Sequence, residues 1–302
     1  MEIDLSVNLG GIRMKNPVTV ASGTFGYGQE YAELMDIARL GAVTVKGIRL
    51  ERWGGNPLPR HVEVPGGMVN AIGLQGPGVD GFVEEDMPFL RRAGVPVIVN
   101  IWGTTIQEYA EVAARLDGVD GVSGLELNVS CPNVKAGGAA FGHDCKTLES
   151  LVASVRARTR LPLIPKLAPN VADVRPFVQA AEAGGADAIS LINTIPAMVI
   201  DIEKRRPVLG NRTGGLSGAG IHPVAVKLVY DAASVSQVPI LAMGGIFSAK
   251  DAIEFLLAGA TAVAVGTATF INPVCAMEVV DGIGAYMRRK GFARISDIRM
   301  AE

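Results

Sequence analysis

The chain has 302 residues, of which 49% are apolar and 19% charged, with a net charge of −2 and only 5% aromatic side chains. The apolar excess supports a large core, whereas near-neutral charge and few stacking platforms argue against a nucleic-acid partner. Three cysteines, Cys131, Cys145 and Cys275, without CxxC spacing, suit neither a disulfide framework nor a zinc or iron–sulfur site built from this chain, and no metal site is expected.

The opening MEIDLSVNLGG has no basic stretch leading into an apolar one, so a cytoplasmic protein without a membrane anchor is expected. A first strand is expected near 17–22. Three later segments, 41–46, 185–190 and 259–266, share one pattern: an amphipathic stretch, then Gly-Ala, then a short β-favouring run. Glycine at the position after a helix takes the left-handed conformation that ends it, and the apolar run then enters a sheet. With that phase fixed, further strands are expected near 43–46, 96–100, 123–128, 161–166, 187–192, 239–243 and 261–265. Between the third and fourth, Thr105 and Glu108 form a capping box ahead of Ile106, Tyr109, Ala110, Ala113 and Leu116 at helical spacing. Ser248 with Asp251 repeats the signal before the eighth strand, with Ile253, Leu256 and Leu257 as the apolar face. Residues 255–277 carry no charge, but Gly259, Gly266, Asn272 and Pro273 punctuate them, which favours a buried strand with turns over a membrane helix. Arg288, Arg289 and Lys290 read as a solvated helix end.

Eight strands alternating with helices predict an α/β fold, a closed (β/α)8 TIM barrel forming a single domain over 1–302. Two long Gly- and Pro-rich intervals, 47–95 and 193–238, follow strands. They fall on the face where barrels build their sites, and are expected to be site-forming loops.

Polar residues collect at the ends of those strands. Ser22 follows the first, Lys46 ends the second, Asn100 the third, Asn128 the fourth and Lys166 the fifth. Asn193 and Thr194 follow the sixth, Gly244-Gly245 the seventh and Gly266-Thr267 the eighth. The two glycine-bearing pairs suit a phosphate, since glycine lets backbone N–H groups approach an anion. Asn100 and Asn128 each offer a donor and an acceptor, as the edge of a flat heterocycle requires. Lys166 has three readings: a charge beside a reduced flavin, a Schiff-base lysine, or a structural lysine paired with a carboxylate. Cys131 sits just after the fourth strand between Asn128 and Asn133, with Lys135 near, and residues 136–142 are a glycine-containing segment suited to a lid. It is read as a candidate base, and Cys275 and Cys145 as small apolar residues.

The motifs ASG (21–23), VKG (45–47), NAIGLQ (70–75), NVSCPNVK (128–135), KLAPN (166–170), NT (193–194), GGLSG (214–218), GGI (244–246) and GT (266–267) together resemble dihydroorotate dehydrogenase, in that family's order. The resemblance implies FMN contacted by Ser22, Lys46, Gly47, Asn100, Asn128, Lys166, Ile192, Gly218, Gly244, Gly245, Gly266 and Thr267. It implies dihydroorotate held by Lys46, Asn70, Ala71, Ile72, Gly73, Leu74, Asn128, Asn193 and Thr194. Cys131 would take the C5 proton while hydride leaves C6. The stretches at 55–75 and 128–142 resemble the NAD-linked class 1B, which implies a homodimer of this chain joined to an electron-transfer subunit carrying FAD and [2Fe-2S], a heterotetramer. Gly76 and His143 depart from the family's usual Asn and Thr. Competing expectations are an FMN barrel acting on another pyrimidine and a flavin-free phosphate-binding barrel lyase using Lys166.

Overall fold

Runs such as Val43–Ile48 and Ala262–Val265 are apolar at nearly every position, which is the pattern of strands shielded on both faces. A computed structural model describes residues 3–129 and 141–301. Cys131, Asn133, Lys135 and most of the expected lid at 136–142 lie outside the described residues.

The strands are β1 (Val18–Val20), β2 (Val43–Ile48), β3 (Val97–Ile101), β4 (Val122–Asn128), β5 (Leu163–Lys166), β6 (Ile189–Leu191), β7 (Ile240–Met243) and β8 (Ala262–Val265). All ladders between them are parallel, in the order β1-β8-β7-β6-β5-β4-β3-β2. The end strands β1 and β2 meet through Gly41 N–H on Val18 O (2.9 Å) and Thr19 Oγ1 against Thr44 Oγ1 (3.3 Å), which nearly closes the barrel. The predicted (β/α)8 architecture is therefore observed, each strand within about two residues of its expected span.

The α-helices longer than four residues among the described residues are α1 (Met87–Ala93), α2 (Ile106–Leu116), α3 (Cys145–Arg156), α4 (Arg175–Ala183), α5 (His222–Ala233), α6 (Ala249–Leu257) and α7 (Cys275–Lys290). Thr105 caps α2, its Oγ1 accepting from Glu108 N at 3.1 Å. The expected reciprocal bond is displaced by one residue: Glu108 Oε2 accepts from Thr104 N and Oγ1, while Arg49 forms an ion pair with its other oxygen at 2.6 Å. At α6 the Ser248 side chain does not cap; Asp251 instead accepts from Ser248 Oγ (3.0 Å) and Phe247 N (2.9 Å). Gly185 and Gly259 have the expected left-handed φ of 95° and 107°. Gly41 does not, and is required for space, since a Cβ there would collide with Asn16 O. Residues 255–277 are divided among the end of α6, β8, a 3-10 turn and the start of α7. Among the described residues no helix is long and apolar enough to cross a membrane.

Side chains alternate along a strand, so residues two apart share a face. On the inner faces, Ile98, Gly124, Ile164, Ala188 and Leu241 lie toward one end; Asn100, Glu126, Lys166, Ser190 and Met243 follow two residues later. A hairpin of Val7–Leu9 and Ile12–Met14 packs Leu9, Ile12 and Met14 on the apolar layer and plugs that end. The mouth is therefore polar and the floor apolar.

The two long intervals are not only loops. They form a four-stranded antiparallel sheet, Ile195–Ala197, Gly214–Ser217, Gly67–Asn70 and His61–Val64 in spatial order. Its pairing joins segments about 145 residues apart, a non-local relation that sequence pattern does not display.

Candidate active site

A cavity of about 430 Å³ occupies the barrel mouth, between the strand ends and the four-stranded sheet. It is lined by Ser22, Lys46, Gly47, Asn100, Asn128, Lys166, Ile192, Gly218, Gly244, Gly245, Gly266 and Thr267. Asn70, Ile72, Gly73, Leu74, Asn193 and Thr194 also line it. Every candidate residue among the described ones thus converges on one cavity except Ala71. Ala71 is fully buried, packs with Val69 and Leu209, and donates its N–H to Arg60 O at 2.7 Å.

Beneath the cavity lies a residue that strand-end inspection missed. Glu126, 0% exposed in mid-β4, accepts from Asn100 Nδ2 (2.6 Å) and Ser190 Oγ (2.9 Å), and Lys166 Nζ lies 3.7 Å away. Two hydrogen-bond donors and an ammonium at ion-pair distance around one carboxylate are what a buried anion needs. The readable signal was a charge two residues before Asn128 inside an apolar strand. Lys166 therefore both lines the cavity and pairs with a carboxylate. Since a carboxylate only accepts, it fixes the Asn100 amide with Nδ2 inward, leaving Oδ1 as a buried acceptor without a partner among the described residues. Asn128 is turned the other way: its Oδ1 accepts from Asn193 Nδ2 (3.1 Å), so Nδ2 is its remaining polar end. One amide presents an acceptor and the other a donor. Thr194 N in turn donates to Asn193 Oδ1 (2.8 Å).

The Lys46 ammonium has no hydrogen-bond partner among the described residues. Burial, with the nearby Arg60 charge second, pulls its pKa below the usual lysine value. An anionic group on a ligand would oppose both effects.

At the ends of β7 and β8, Gly244 and Gly245 adopt φ of 136° and 68°, conformations that side chains disfavour. A Cβ on either would lie within 2.7 Å of a neighbouring side chain. The N–H groups of Gly245 and Thr267 donate to no backbone carbonyl among the described residues. Thr267 Oγ1 bonds Ser217 Oγ at 2.8 Å, tying this end to the four-stranded sheet. His222 Nδ1 lies 3.0 Å from Gly244 O, and its Nε2 3.1 Å from Glu254 Oε2.

The 70–76 segment is clasped from residues 53–60. Trp53 exchanges backbone bonds with Gly76 (2.9 and 3.0 Å) and donates Nε1–H to Gly73 O (3.0 Å); Asn56 Nδ2 donates to Ala71 O (3.1 Å). Arg60 joins Gln75. Leu74 is held at φ 59°, unusual for a residue with a side chain. Gly76 is thus an anchor: a Cβ there would come 3.0 Å from Gly47 O. His143 lies outside the cavity, 3.4 Å from Asn170. His61, Met68, Ser217, Ile221, Met243 and Phe270 line the cavity without having been singled out. Apart from Met243, which ends β7, and Phe270, beyond β8, these sit on or beside the sheet the sequence did not reveal.

Cys275 is buried, and burial followed by Glu278 and Asp251 pushes its thiol up to about 11, which suits its expected role as a small apolar residue. Among the described residues no cluster of His, Cys, Asp and Glu has metal-binding proximity.

A family model described as dihydroorotate dehydrogenase matches residues 4–287. Similar curated proteins include one from Trichlorobacter lovleyi, 51% identical over 298 residues, covering 99% of this chain and 98% of its own length. Others are from Alkaliphilus metalliredigens (53%) and Pelobacter propionicus (52%), each with the same coverage. All three are named dihydroorotate dehydrogenase B (NAD(+)), catalytic subunit.

Proposed function

Since the chain belongs to the dihydroorotate dehydrogenase family, we propose that it oxidises dihydroorotate to orotate in pyrimidine biosynthesis, using FMN in the barrel mouth and NAD as final electron acceptor. The observation that carries this reading is the convergence of all but one of the described candidate residues on a single cavity of two opposed amides, two lysines and a glycine-built anion end. FMN fits that donor set. Asn100 Oδ1, without a partner among the described residues, suits a ring N–H; the Gly245 and Thr267 N–H groups, with no backbone acceptor among the described residues, suit a phosphate; and Lys166 suits the charge of a reduced ring.

Ser22, Lys46, Gly47, Asn100, Asn128, Lys166, Ile192, Gly218, Gly244, Gly245, Gly266 and Thr267 would hold the cofactor. When bound, it supplies acceptance of the hydride leaving C6 of dihydroorotate. The chain's own residues do the rest. Asn70, Asn128, Asn193 and Thr194 offer donors and acceptors to the pyrimidine, and Lys46 offers an ammonium to its carboxylate. Ile72, Gly73 and Leu74 wall the pyrimidine and keep water from it, with Ala71 holding the loop from behind. Cys131, as thiolate, takes the C5 proton. What supports that assignment is its place three residues after cavity-lining Asn128 and the family's motif there. A thiol with a pKa near 8.5 is only partly ionised at neutral pH, so polar donors around it are required.

The NAD(+) and catalytic-subunit wording of the relatives' names supports a partner in this reading. We assign it FAD and a [2Fe-2S] cluster, with a homodimer of this single-domain chain at the centre of a cytoplasmic heterotetramer. The test is an anaerobic absorbance spectrum of the purified chain before and after adding dihydroorotate. Flavin bands that bleach are expected. A protein that takes up no FMN, or whose bound flavin stays oxidised with dihydroorotate in excess, overturns the assignment.

A further inference from the structure

The strand β7 ends at Met243, and the next peptide, Gly244–Gly245, lies beyond the ladder with both residues at positive φ, 136° and 68°. Such a peptide has little steric reason to keep one orientation. What holds it is a side chain from α5: His222 Nδ1–H donates to Gly244 O at 3.0 Å. A trans peptide is planar, with its C=O and N–H pointing opposite ways. Because Gly244 O is turned to His222, which does not line the cavity, Gly245 N–H is turned away from His222, and it has no backbone acceptor among the described residues.

His222 is itself fixed from α6. Its Nε2 lies 3.1 Å from Glu254 Oε2, its ring sits edge-to-face on Phe255 with centroids 5.1 Å apart, and its side chain is 12% exposed. Gly244 O can only accept, so Nδ1 is the donor in that contact, and the second ring nitrogen is held against the Glu254 carboxyl. Glu254 is the carboxylate facing it, and Lys250 lies 4.0 Å from the far oxygen of Glu254.

We propose that His222, oriented by Glu254, is a positioning residue that locks the Gly244–Gly245 peptide with its N–H toward the ligand's phosphate. It thereby sets how strongly the site prefers FMN over riboflavin. The inference rests on the flavin reading above. It assigns His222 no contact with the ligand: it acts through Gly244.

The test compares affinities of the deflavinated full chain for FMN and riboflavin, read by quenching of flavin fluorescence. His222→Ala is expected to weaken FMN about tenfold, the scale of one hydrogen bond, and to leave riboflavin unchanged. His222→Asn, whose Nδ2 reaches toward the place of the ring Nδ1, is expected to restore most of the FMN preference. Equal losses for both flavins in both variants would mark His222 as merely structural and overturn the proposal, as would an unchanged FMN-to-riboflavin ratio in His222→Ala. Wild-type protein that binds neither flavin would instead overturn the flavin reading, and the proposal with it.

Discussion

Replacing Glu126 by glutamine removes one charge from the barrel interior while keeping the shape of the side chain. In the wild-type protein Asn100 Nδ2 and Ser190 Oγ donate to an anion at 2.6 and 2.9 Å, and Lys166 Nζ stands 3.7 Å away. Charge-assisted bonds contribute about 1.5–3 kcal/mol each and neutral ones about 0.5–1.5, so the two bonds together lose about 2 kcal/mol. Lys166 also loses its counter-charge, which brings the total to about 3 kcal/mol, at the low end for breaking a buried pair. Lys166→Met alone leaves Glu126 with two donors and is expected to cost about 2 kcal/mol. In the double variant no charge is left unpaired, so its loss should fall short of the sum by more than about 1 kcal/mol. Urea unfolding of flavin-free protein, followed by circular dichroism, measures all four corners of the cycle. Losses additive to within about 0.5 kcal/mol would refute the coupling and reduce the pair to proximity.

Cys131→Ser is expected to retain FMN while slowing flavin reduction by dihydroorotate by orders of magnitude near neutral pH; stopped-flow reduction at a near-normal rate would remove Cys131 from proton transfer. Thr105→Ala deletes the acceptor for Glu108 N at the start of α2 and should cost about 1 kcal/mol in urea unfolding; an unchanged midpoint would show the cap to be redundant. Burial, then Glu85 and Glu30, raises Asp86 from the usual 3.8 to about 6. The folded state therefore keeps that proton where the unfolded chain has lost it, and the stability it contributes below 3.8 disappears as pH rises through 6. Asp86→Asn, neutral throughout, should gain on wild type between pH 4 and pH 7, and a gap that narrows instead would contradict the burial argument.

The barrel was legible because its signals are local. Gly185 and Gly259 end helices where the left-handed conformation is needed, and the apolar runs after them have the length of strands. The strand-end members of the site, Ser22, Lys46, Asn100, Asn128, Lys166, Asn193 and Thr194, were legible for the same reason, each being a polar residue at or just after the end of an apolar run, whereas Gly47, Ile192, Gly218 and residues 70–74 were implied by the family resemblance. Glu126 was not read because attention to strand ends passes over strand interiors; only the two-residue alternation links it to Asn128. Ser217, Met68 and His61 were hidden more deeply. They line the cavity by virtue of Gly214–Ser217 pairing with Gly67–Asn70, and nothing near either segment announces the other.

That pairing has a consequence for recombining this chain with its relatives. Gly67–Asn70 runs directly into the 70–74 segment, while Ile195–Ala197 follows directly on Asn193 and Thr194, and both strands flank Gly214–Ser217. The two stretches are therefore a single heritable part written in two places. A crossover anywhere between residues 75 and 190 would bring together halves of the roof drawn from different parents, with Gly215 and Asn70 meeting as strangers. Chimeras that exchange 47–75 and 193–218 together should keep a seamless mouth, and those that exchange one alone should not.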